Sequence, residues 1–297
     1  MLRESMGSVL FMRRPADRKM LLMQPAGCAT AVGSPLPDLR FLTDYRIMTT
    51  EKKEDEMEKT GFLQSIADNA LFVAEFIGIV VLIILVSYGM EKWAAKRNNS
   101  SERVLTTRKV AVIGTFSAIA AILMVFELPV PFAPMFYKID FSEIPALIGT
   151  FALGPVAGVL IEFCKIVLKI LLKPTSTAFV GELANFAVGC SFLLPASACY
   201  LARRKKSGAI AGVLLGTACM TVFGTLFNAV YLLPKFAQMY GMPLEAIVEM
   251  GTKINPSINS ITTLVILCVA PLNLLKGSVV SLVTMLVYKK LSPIIKA

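Results

Sequence analysis

The sequence predicts an all-α polytopic membrane protein, in which a six-helix bundle is preceded by one extra N-terminal transmembrane helix. Hydrophobic residues make up 56% of the 297 positions, and the mean hydropathy is +0.69. Several apolar stretches approach the ~20 residues that span a bilayer as a helix. The net charge of +10 lies in short basic clusters between these stretches. Such clusters are typical of cytoplasmic loops, so nucleic-acid binding is disfavoured.

The residue inventory argues against several classes of enzyme. The chain has no histidine, which excludes imidazole-based catalysis within it. It also lacks the GxxxxGKS/T loop that P-loop proteins use to hydrolyse ATP. Its six cysteines show no CxxC spacing, so we interpret them as packing residues rather than as zinc or redox ligands. We therefore expect no catalytic residue, no metal and no cofactor. If the protein pumps a substrate, the energy would come from a partner or an ion gradient.

The chain divides into four parts before any motif is considered. Residues 1–68 are a polar N-terminal extension, and 1–47 show no helical periodicity and are expected to be disordered; alternatively, translation begins at Met48. Residues 69–90 form a plain transmembrane anchor, and 91–103 form a polar linker. Acids dominate before the anchor and basic residues after it, which predicts an outside amino end and a cytoplasmic carboxyl end. The six-helix domain occupies 104–297.

Six further spans follow within this domain. They are predicted over Val110–Glu127, Glu143–Leu153, Pro155–Leu172, Phe179–Leu201, Ala209–Leu233 and Pro271–Tyr288. The pair Gly154-Pro155 predicts a tight break between the second and third spans. This count puts the basic clusters at 203–206 and 289–296 on the same side as the linker, so the C-terminus is expected in the cytoplasm.

Pro271 leaves two interpretations of the last span. Because proline is well tolerated in the first turn of a helix, we favour a helix that begins there, with Ile258–Ala270 as a separate apolar segment. The alternative is one long kinked helix from Ile258 onward.

Polar residues inside membrane spans are costly, and here most of them converge at one depth. The outer ends of four spans carry amides, acids and one amine: Asp140, Glu143, Glu182, Asn185, Asn228, Asn273 and Lys276. Asn273 and Lys276 are spaced i,i+3 and share a helix face. The segment from Phe136 to Leu147 adds aromatics over the same end. Together they predict a water-accessible pocket for a polar organic molecule.

Structural alternatives exist for several of these residues. Asn228 could be a helix-to-helix hydrogen bond, and Glu182 could pair with Lys276 or with a lysine of the third span. On that third span Glu162, Lys165, Lys169 and Lys173 form a stripe, which we interpret as a Glu-Lys pair with two snorkelling lysines. The small residues of the first span form two close-packing faces, Gly114 with Ala118 and Ser117 with Ala121.

Three motifs in order resemble a known family. The segment FAPMFYKIDFSEIPALIGTFALGPVAG (132–158), followed by GELANF (181–186) and PLNLLKG (271–277), is similar to the riboflavin-specific substrate-binding subunit, or S component (RibU type), of energy-coupling factor (ECF) transporters. The resemblance covers about residues 104–292. It implies a six-helix S-component fold that binds riboflavin from outside. It also implies partners: a transmembrane coupling protein and two ATPase subunits.

The resemblance also implies site residues. Flavin contacts would come from Asn273 and Lys276 and, on the fifth span, from Asn228, while the loop at about 129–142 would act as a gate. An amide side chain offers a donor and an acceptor in one plane, as the uracil-like edge of the flavin requires, and a lysine supplies donors. Phe136, Phe141 and Phe186 would cover the dimethylbenzene side, and Glu182 and Asn185 would serve the ribityl hydroxyls. Asp140 is a further predicted ligand-binding residue. The face of the first helix that docks the coupling protein is left open, as is the role of the extra anchor.

Two alternative functions remain from the sequence. The same fold could bind FMN, a flavin analogue or another vitamin, and a phosphate would need an outer cation such as Lys169 or Lys173. A membrane-embedded enzyme would have to use Asp140, Glu143 and Glu182, without histidine, a metal cluster or a phosphate loop.

Overall fold

The computed structural model describes residues 70–97, 104–173, 175 and 179–296, with the backbone alone for Met239 and 289–296. The expectations for 1–69 and 98–103 lie outside these ranges. In chain order the elements are α1 (Ala70–Arg97), α2 (Thr107–Val125), β1 (Leu128–Pro129), β2 (Lys138–Ile139), α3 (Glu143–Leu153), α4 (Pro155–Leu172), α5 (Val180–Ala202), α6 (Lys206–Phe227), the π-helical turn π1 (Asn228–Leu232), α7 (Leu233–Tyr240), α8 (Leu244–Thr252), α9 (Ile261–Leu264), the π-helical turn π2 (Val265–Val269) and α10 (Ala270–Lys296).

The all-α polytopic fold is confirmed. Within the described ranges, five stretches are long and apolar enough to cross a membrane: Ala70–Arg97, Thr107–Val125, Val180–Ala202, Lys206–Gln238 and Ile261–Tyr288. The predicted second and third spans, α3 and α4, do not meet this standard, because α3 has 11 residues and α4 carries three charged side chains. Both pack inside the bundle, with eight of the 11 residues of α3 buried. There, charged side chains can pair with one another instead of facing lipid.

The hairpin between α3 and α4 confirms the predicted break. Gly154 has φ = 112°, a conformation that favours glycine, and Pro155 occupies the first turn of α4. The two helices then approach closely, because a Cβ at Gly158 would overlap the side chain of Thr150. Antiparallel β1 and β2 pair Leu128 with Ile139 and hold the loop that enters this hairpin.

Helix α1 is longer than the predicted anchor and belongs to the bundle. It continues to Arg97 through residues that the sequence assigns to a linker. Its Phe76 ring lies 6.1 Å from the ring of Phe186 on α5. At one end the Glu75 carboxylate accepts a hydrogen bond from Tyr231 (2.5 Å). At the other, the Glu91 carboxylate accepts one from the backbone N–H of Val156 (3.3 Å). Helix α1 is thus fixed to the bundle at both ends.

The two predicted close-packing faces of α2 differ in burial. Ser117 and Ala121 are buried, and the Ser117 hydroxyl donates to the carbonyl of Ile113. Gly114 and Ala118 are exposed, and a Cβ at Gly114 would meet nothing within 4 Å. Internal packing therefore uses Ser117 and Ala121 and leaves Gly114 and Ala118 on the outside of the bundle.

The predicted break at Pro271 is wrong, and the long-helix alternative is correct. The last span runs without interruption from Ile261 through π2 into α10. Its start is fixed by Ser260, whose side chain caps the helix together with Thr263. The N–H of Ala270, directly before the proline, donates to the carbonyl of Val265 five residues back. This wider turn removes the i→i−4 clash that a proline ring normally causes, so the helix continues through Pro271.

The fifth span uses the same device. The N–H of Leu233, directly before Pro234, donates to the carbonyl of Asn228, again five residues back. The helix therefore does not end at Leu233 as predicted but continues as α7 to Tyr240 and ends at Gly241 in the left-handed conformation. Turns π1 and π2 lie against each other.

Candidate ligand-binding site

A cavity of about 420 Å³ lies at the end of the bundle covered by the β1–β2 loop. This volume falls within the ~300–1,000 Å³ of small-molecule sites. Its walls come from the loop, the first turns of α5, the region from π1 to α7, and the start of α10. The lining residues are Met124, Glu127, Met135, Phe136, Tyr137, Lys138, Asp140, Glu143, Lys169, Val180, Gly181, Glu182, Ala184, Asn185, Val188, Gly189, Met220, Asn228, Leu232, Leu233, Phe236, Tyr240, Val269, Leu272, Asn273 and Lys276.

Seven of the eight predicted site residues line this cavity: Asp140, Phe136, Glu182, Asn185, Asn228, Asn273 and Lys276. The structure thus brings them together from the loop, α5, π1 and α10, and their contact with a ligand stays a prediction.

Two predicted aromatic walls lie elsewhere. Phe141 is half-buried and is not a lining residue. It lies in the turn that begins α3, where the Asp140 carboxylate accepts from the backbone N–H of Ser142 and the Phe141 carbonyl accepts from that of Ile144. This turn brings Asp140 to the cavity without its neighbour Phe141. Phe186 is fully buried on the far side of α5, between the rings of Phe76 and Phe163. It follows Asn185 by one residue, and one residue on a helix is a rotation of about 100°.

Buried charges form the floor of the cavity. The Lys276 ammonium lies 2.9 Å from the Glu143 carboxylate and 3.1 Å from that of Asp140, and it donates to the Asn185 side-chain oxygen at 3.4 Å. Asp140 also accepts hydrogen bonds from the backbone N–H and the hydroxyl of Ser142. These contacts hold Lys276 in place, and the residue is buried, with an exposed fraction of 6%.

A second ammonium continues this network away from the cavity. Lys165 is fully buried, with an exposed fraction of 0%. Its Nζ lies 2.7 Å from the Glu162 carboxylate and 3.3 Å from that of Glu143, and it donates to the Ser142 hydroxyl at 2.8 Å. The predicted Glu-Lys pair on the third span is therefore confirmed. We call Asp140, Glu143, Glu162, Lys165 and Lys276 the floor cluster.

The two lysines predicted to snorkel are instead paired. Lys169 is buried and donates to the Glu182 carboxylate at 2.8 Å, which also accepts from Thr175. Lys173 donates to the Glu127 carboxylate at 2.8 Å. The prediction of snorkelling assumed that these side chains find only lipid and water, whereas α5 and the end of α2 supply carboxylates. Of the alternatives for Glu182, pairing with a lysine of the third span is correct.

Glu127 forms a mouth cluster with two lysines. Its carboxylate accepts from Lys138 at 2.6 Å and from Lys173 at 2.8 Å. Partial burial raises the pKa of the Glu127 carboxyl, and the two ammonium groups more than offset this, so that its pKa lies below the ordinary value. The mouth cluster is open to water, since the Lys173 side chain is 43% exposed.

The side-chain amides of Asn228 and Asn273 both lie next to Gly224. Asn228 donates from Nδ2 to the Gly224 carbonyl (2.8 Å) and accepts at Oδ1 from the Tyr137 hydroxyl (3.1 Å). A Cβ at Gly224 would overlap the Asn273 amide, so this glycine leaves the room that Asn273 occupies. Tyr137 thus ties the loop to π1. Tyr137 lies in the loop that is predicted to act as a gate, but it is not among the predicted site residues.

Aromatic rings cover the cavity. Phe136 from the loop stacks on Phe236 of α7, with ring centroids 5.1 Å apart, and Phe236 stacks on Tyr240 at 4.5 Å. Phe236 and Tyr240 are not among the predicted site residues, because the fifth span is predicted to end at Leu233. Their i,i+4 spacing would have shown the pair if the helix had been extended.

The site combines planar amides, the two buried ammonium groups of Lys169 and Lys276 and aromatic cover, which suits a flat polar molecule held by hydrogen bonds. Across the described residues no group of histidine, cysteine or acidic side chains could hold a metal ion.

Comparison with known proteins defines the class. Residues 108–288 match the family model described as "ECF transporter, substrate-specific component". The chain belongs to this family, and the recognition made from the three motifs is confirmed. The match runs from α2 into α10 and leaves α1 outside.

Individual relatives identify the type of S component that the chain is similar to. The chain is 32% identical over 190 residues to the riboflavin transporter FmnP of Bacillus subtilis (strain 168), covering 64% of this chain and 94% of that protein. It is 32% identical over 189 residues to the riboflavin transporter RibU of Staphylococcus aureus (strain TCH60), covering 64% and 93%. A solved structure of the S component of a bacterial ECF transporter is 34% identical with a TM-score of 0.50, covering 64% of this chain and 98% of that one.

Proposed function

We propose that this chain is the membrane-embedded, high-affinity riboflavin-binding subunit through which riboflavin is taken up. The observation that carries the proposal is the convergence of Asn228, Asn273 and Lys276 on one cavity beneath an aromatic loop. Relatives named riboflavin transporters at 32% identity support the choice of ligand. The amides would serve the uracil-like edge of the flavin, and the Lys276 ammonium would donate to a ring carbonyl or nitrogen.

The remaining polar and aromatic residues receive secondary roles. Glu182 and Asn185 would meet the ribityl hydroxyls, and Asp140 would orient Lys276. Phe136 and Phe236 would cover the ring system. In the bound state the Tyr137 hydroxyl would either keep Asn228 in place or give way to the ligand, and the loop would act as a gate.

Membership of the ECF family supports a division of labour in transport. The chain would bind riboflavin as its transported substrate, without a cofactor and without chemical conversion. A transmembrane coupling protein and two ATPase subunits would supply the energy. The protein would lie in the cell membrane with its C-terminus in the cytoplasm, as the basic clusters at 203–206 and 289–296 indicate.

The direct test is riboflavin binding to the purified chain, measured by quenching of flavin fluorescence. Lys276→Ala and Asn273→Ala should each weaken binding, by about 100-fold for the charged group and about 10-fold for the amide. Leu274→Ala is the matched control, because Leu274 lies between them on α10 with its side chain 53% exposed. Absence of binding by the unmodified chain in nanodiscs would refute the proposal, and so would equal loss in all three variants.

FMN is the second candidate, and competition binding separates the two. A phosphate would require an available cation at the mouth, and Lys169 and Lys173 are already paired with Glu182 and Glu127. We therefore expect FMN to compete more weakly than riboflavin. Stronger competition by FMN would favour the alternative. Flavin released from the protein should be chemically unchanged. A converted product would instead support the alternative of a membrane-embedded enzyme.

A further inference from the structure

A second cavity, of about 770 Å³, lies at the opposite end of the bundle and shares no lining residue with the first. It is enclosed by the last turns of α1, the first turn of α2, the α3–α4 junction and the end of α5. We call it the basal cavity. In the proposed orientation it opens at the cytoplasmic surface of the membrane.

The basal cavity carries a surplus of positive charge. Among the residues that the structure describes, five basic side chains line it together with one acidic side chain, Glu91; the basic residues are Lys92, Lys96, Arg108, Lys109 and Arg204. Glu91 is already engaged by the backbone N–H of Val156 at 3.3 Å and lies 3.8 Å from the Lys109 ammonium. The N-terminus of α2 also faces the cavity through Thr106 and Arg108, which adds the positive end of a helix dipole. This electrostatic field suits an anion.

The surroundings of the basal cavity place it at the depth of lipid headgroups. Apolar side chains share the lining, among them Phe151, Leu153 and Leu201. On the adjoining surface of α1, Trp93 is 57% exposed and the Arg97 guanidinium lies 5.4 Å from its ring centroid. Exposed tryptophan beside basic residues is typical of the membrane–water interface. A ligand here would meet cations and hydrocarbon together.

We propose that the basal cavity binds the phosphate headgroup of an anionic phospholipid. Basic pockets between membrane helices on the cytoplasmic side recognise such headgroups. The mixed lining favours a lipid over a free phosphate ion, which would gain nothing from Phe151 or Leu153. Helix α1 supplies Lys92 and Lys96 and lies outside the matched residues 108–288, so the site depends on the segment that this chain adds to the family unit.

The test measures lipid binding by the full chain, delipidated in detergent and analysed by native mass spectrometry. Phosphatidylglycerol and phosphatidylcholine are added separately, and inorganic phosphate serves as the non-lipid anion. We expect retention of phosphatidylglycerol over phosphatidylcholine. The variant K96Q/R204Q should reduce that retention about tenfold or more, because each cation near an anionic headgroup contributes to attraction.

The matched control is R203Q/K205Q. These residues lie beside Arg204, carry the same charge, are exposed, and do not line the cavity. The control should retain phosphatidylglycerol as the unmodified chain does. Both variants should bind riboflavin unchanged, which reports that the bundle is intact; if K96Q/R204Q fails to fold, R204Q alone is compared with R203Q.

Two results would overturn the proposal. The first is equal loss of phosphatidylglycerol in both variants, which would indicate non-specific attraction to a basic surface. The second is no preference between the two lipids, whether or not inorganic phosphate binds. Phosphate binding without lipid preference would assign the basal cavity to a soluble anion instead.

Discussion

Charged side chains lie at the floor and at the mouth of the ligand cavity, and the two clusters differ in their access to water. Within the floor cluster, Lys165 and Glu162 have side chains that are 0% exposed. In the mouth cluster the Lys173 side chain is 43% exposed. In water an ion pair contributes little, whereas a buried charge that loses its partner is strongly destabilising. The floor should therefore hold the bundle together and fix Lys276, while the mouth should only guide the loop.

The largest expected effect is that of Lys165→Met. Lys165 does not line the cavity, but its removal leaves the buried carboxylates of Glu143 and Glu162 without this ammonium. Loss of one partner of a buried pair costs about 3–5 kcal/mol. We expect a clear fall in the thermal unfolding midpoint of the purified protein in detergent.

The matched substitution at the mouth is Lys173→Met. It also removes an ammonium group, but the Glu127 carboxylate keeps Lys138 as a partner. We expect a change of at most about 1 kcal/mol. Equal shifts in the unfolding midpoint for the two lysines would show that the distinction between floor and mouth is wrong.

An intermediate effect is expected for Tyr137→Phe, which removes only the hydroxyl that donates to Asn228. A neutral hydrogen bond contributes about 0.5–1.5 kcal/mol, which corresponds to a two- to tenfold change in riboflavin affinity. Because the bond ties the loop to π1, the change should appear mainly in the rate of riboflavin release, measured by stopped-flow fluorescence. Phe132→Leu is the control within the same loop, and an equal increase in release rate there would contradict a specific role for the hydroxyl.

The smallest effect concerns pH and the mouth cluster. The pKa of Glu127 is lower in the folded protein than its ordinary value, so its pairing with Lys138 and Lys173 stabilises the fold above that ordinary value. This contribution is lost as the pH falls through the folded pKa. Glu127→Gln should remove the dependence, so the unmodified and variant proteins should converge in unfolding midpoint at acidic pH. A constant difference between them down to the lowest pH would argue against this assignment.

The sequence predicts the composition of the site better than the course of the helices that carry it. Asn273 and Lys276 are recognisable because polar residues within apolar spans rarely face lipid. Their partners are harder to predict, because Asp140 and Glu143 lie more than 130 residues away and meet Lys276 only through packing. The prediction that Lys169 and Lys173 snorkel is wrong for the same reason. Nothing in the sequence of α4 itself indicates that Glu182 would lie opposite Lys169.

The two prolines mark the clearest limit. Pro234 and Pro271 each read as the end or start of a helix, because a proline removes one backbone donor and clashes with the preceding turn. A π turn relieves that clash with one extra residue, and no side-chain pattern in π1 or π2 announces it. As a consequence α7 is not predicted from the sequence, and neither are Phe236 and Tyr240 of the aromatic cover.

Turns π1 and π2 have a consequence for how this chain tolerates changes in length. Each holds one residue more than an α-helical course would need, and one residue corresponds to a rotation of about 100°. Deleting Ala229 from π1 would leave composition and hydropathy almost untouched, yet it would turn everything beyond it around the helix axis. Phe236 would then leave the ring of Phe136, and Pro234 would meet the backbone of the preceding turn. In these two helices, the loss of one residue would therefore change the direction in which the later side chains point far more than it would change the length of the helix.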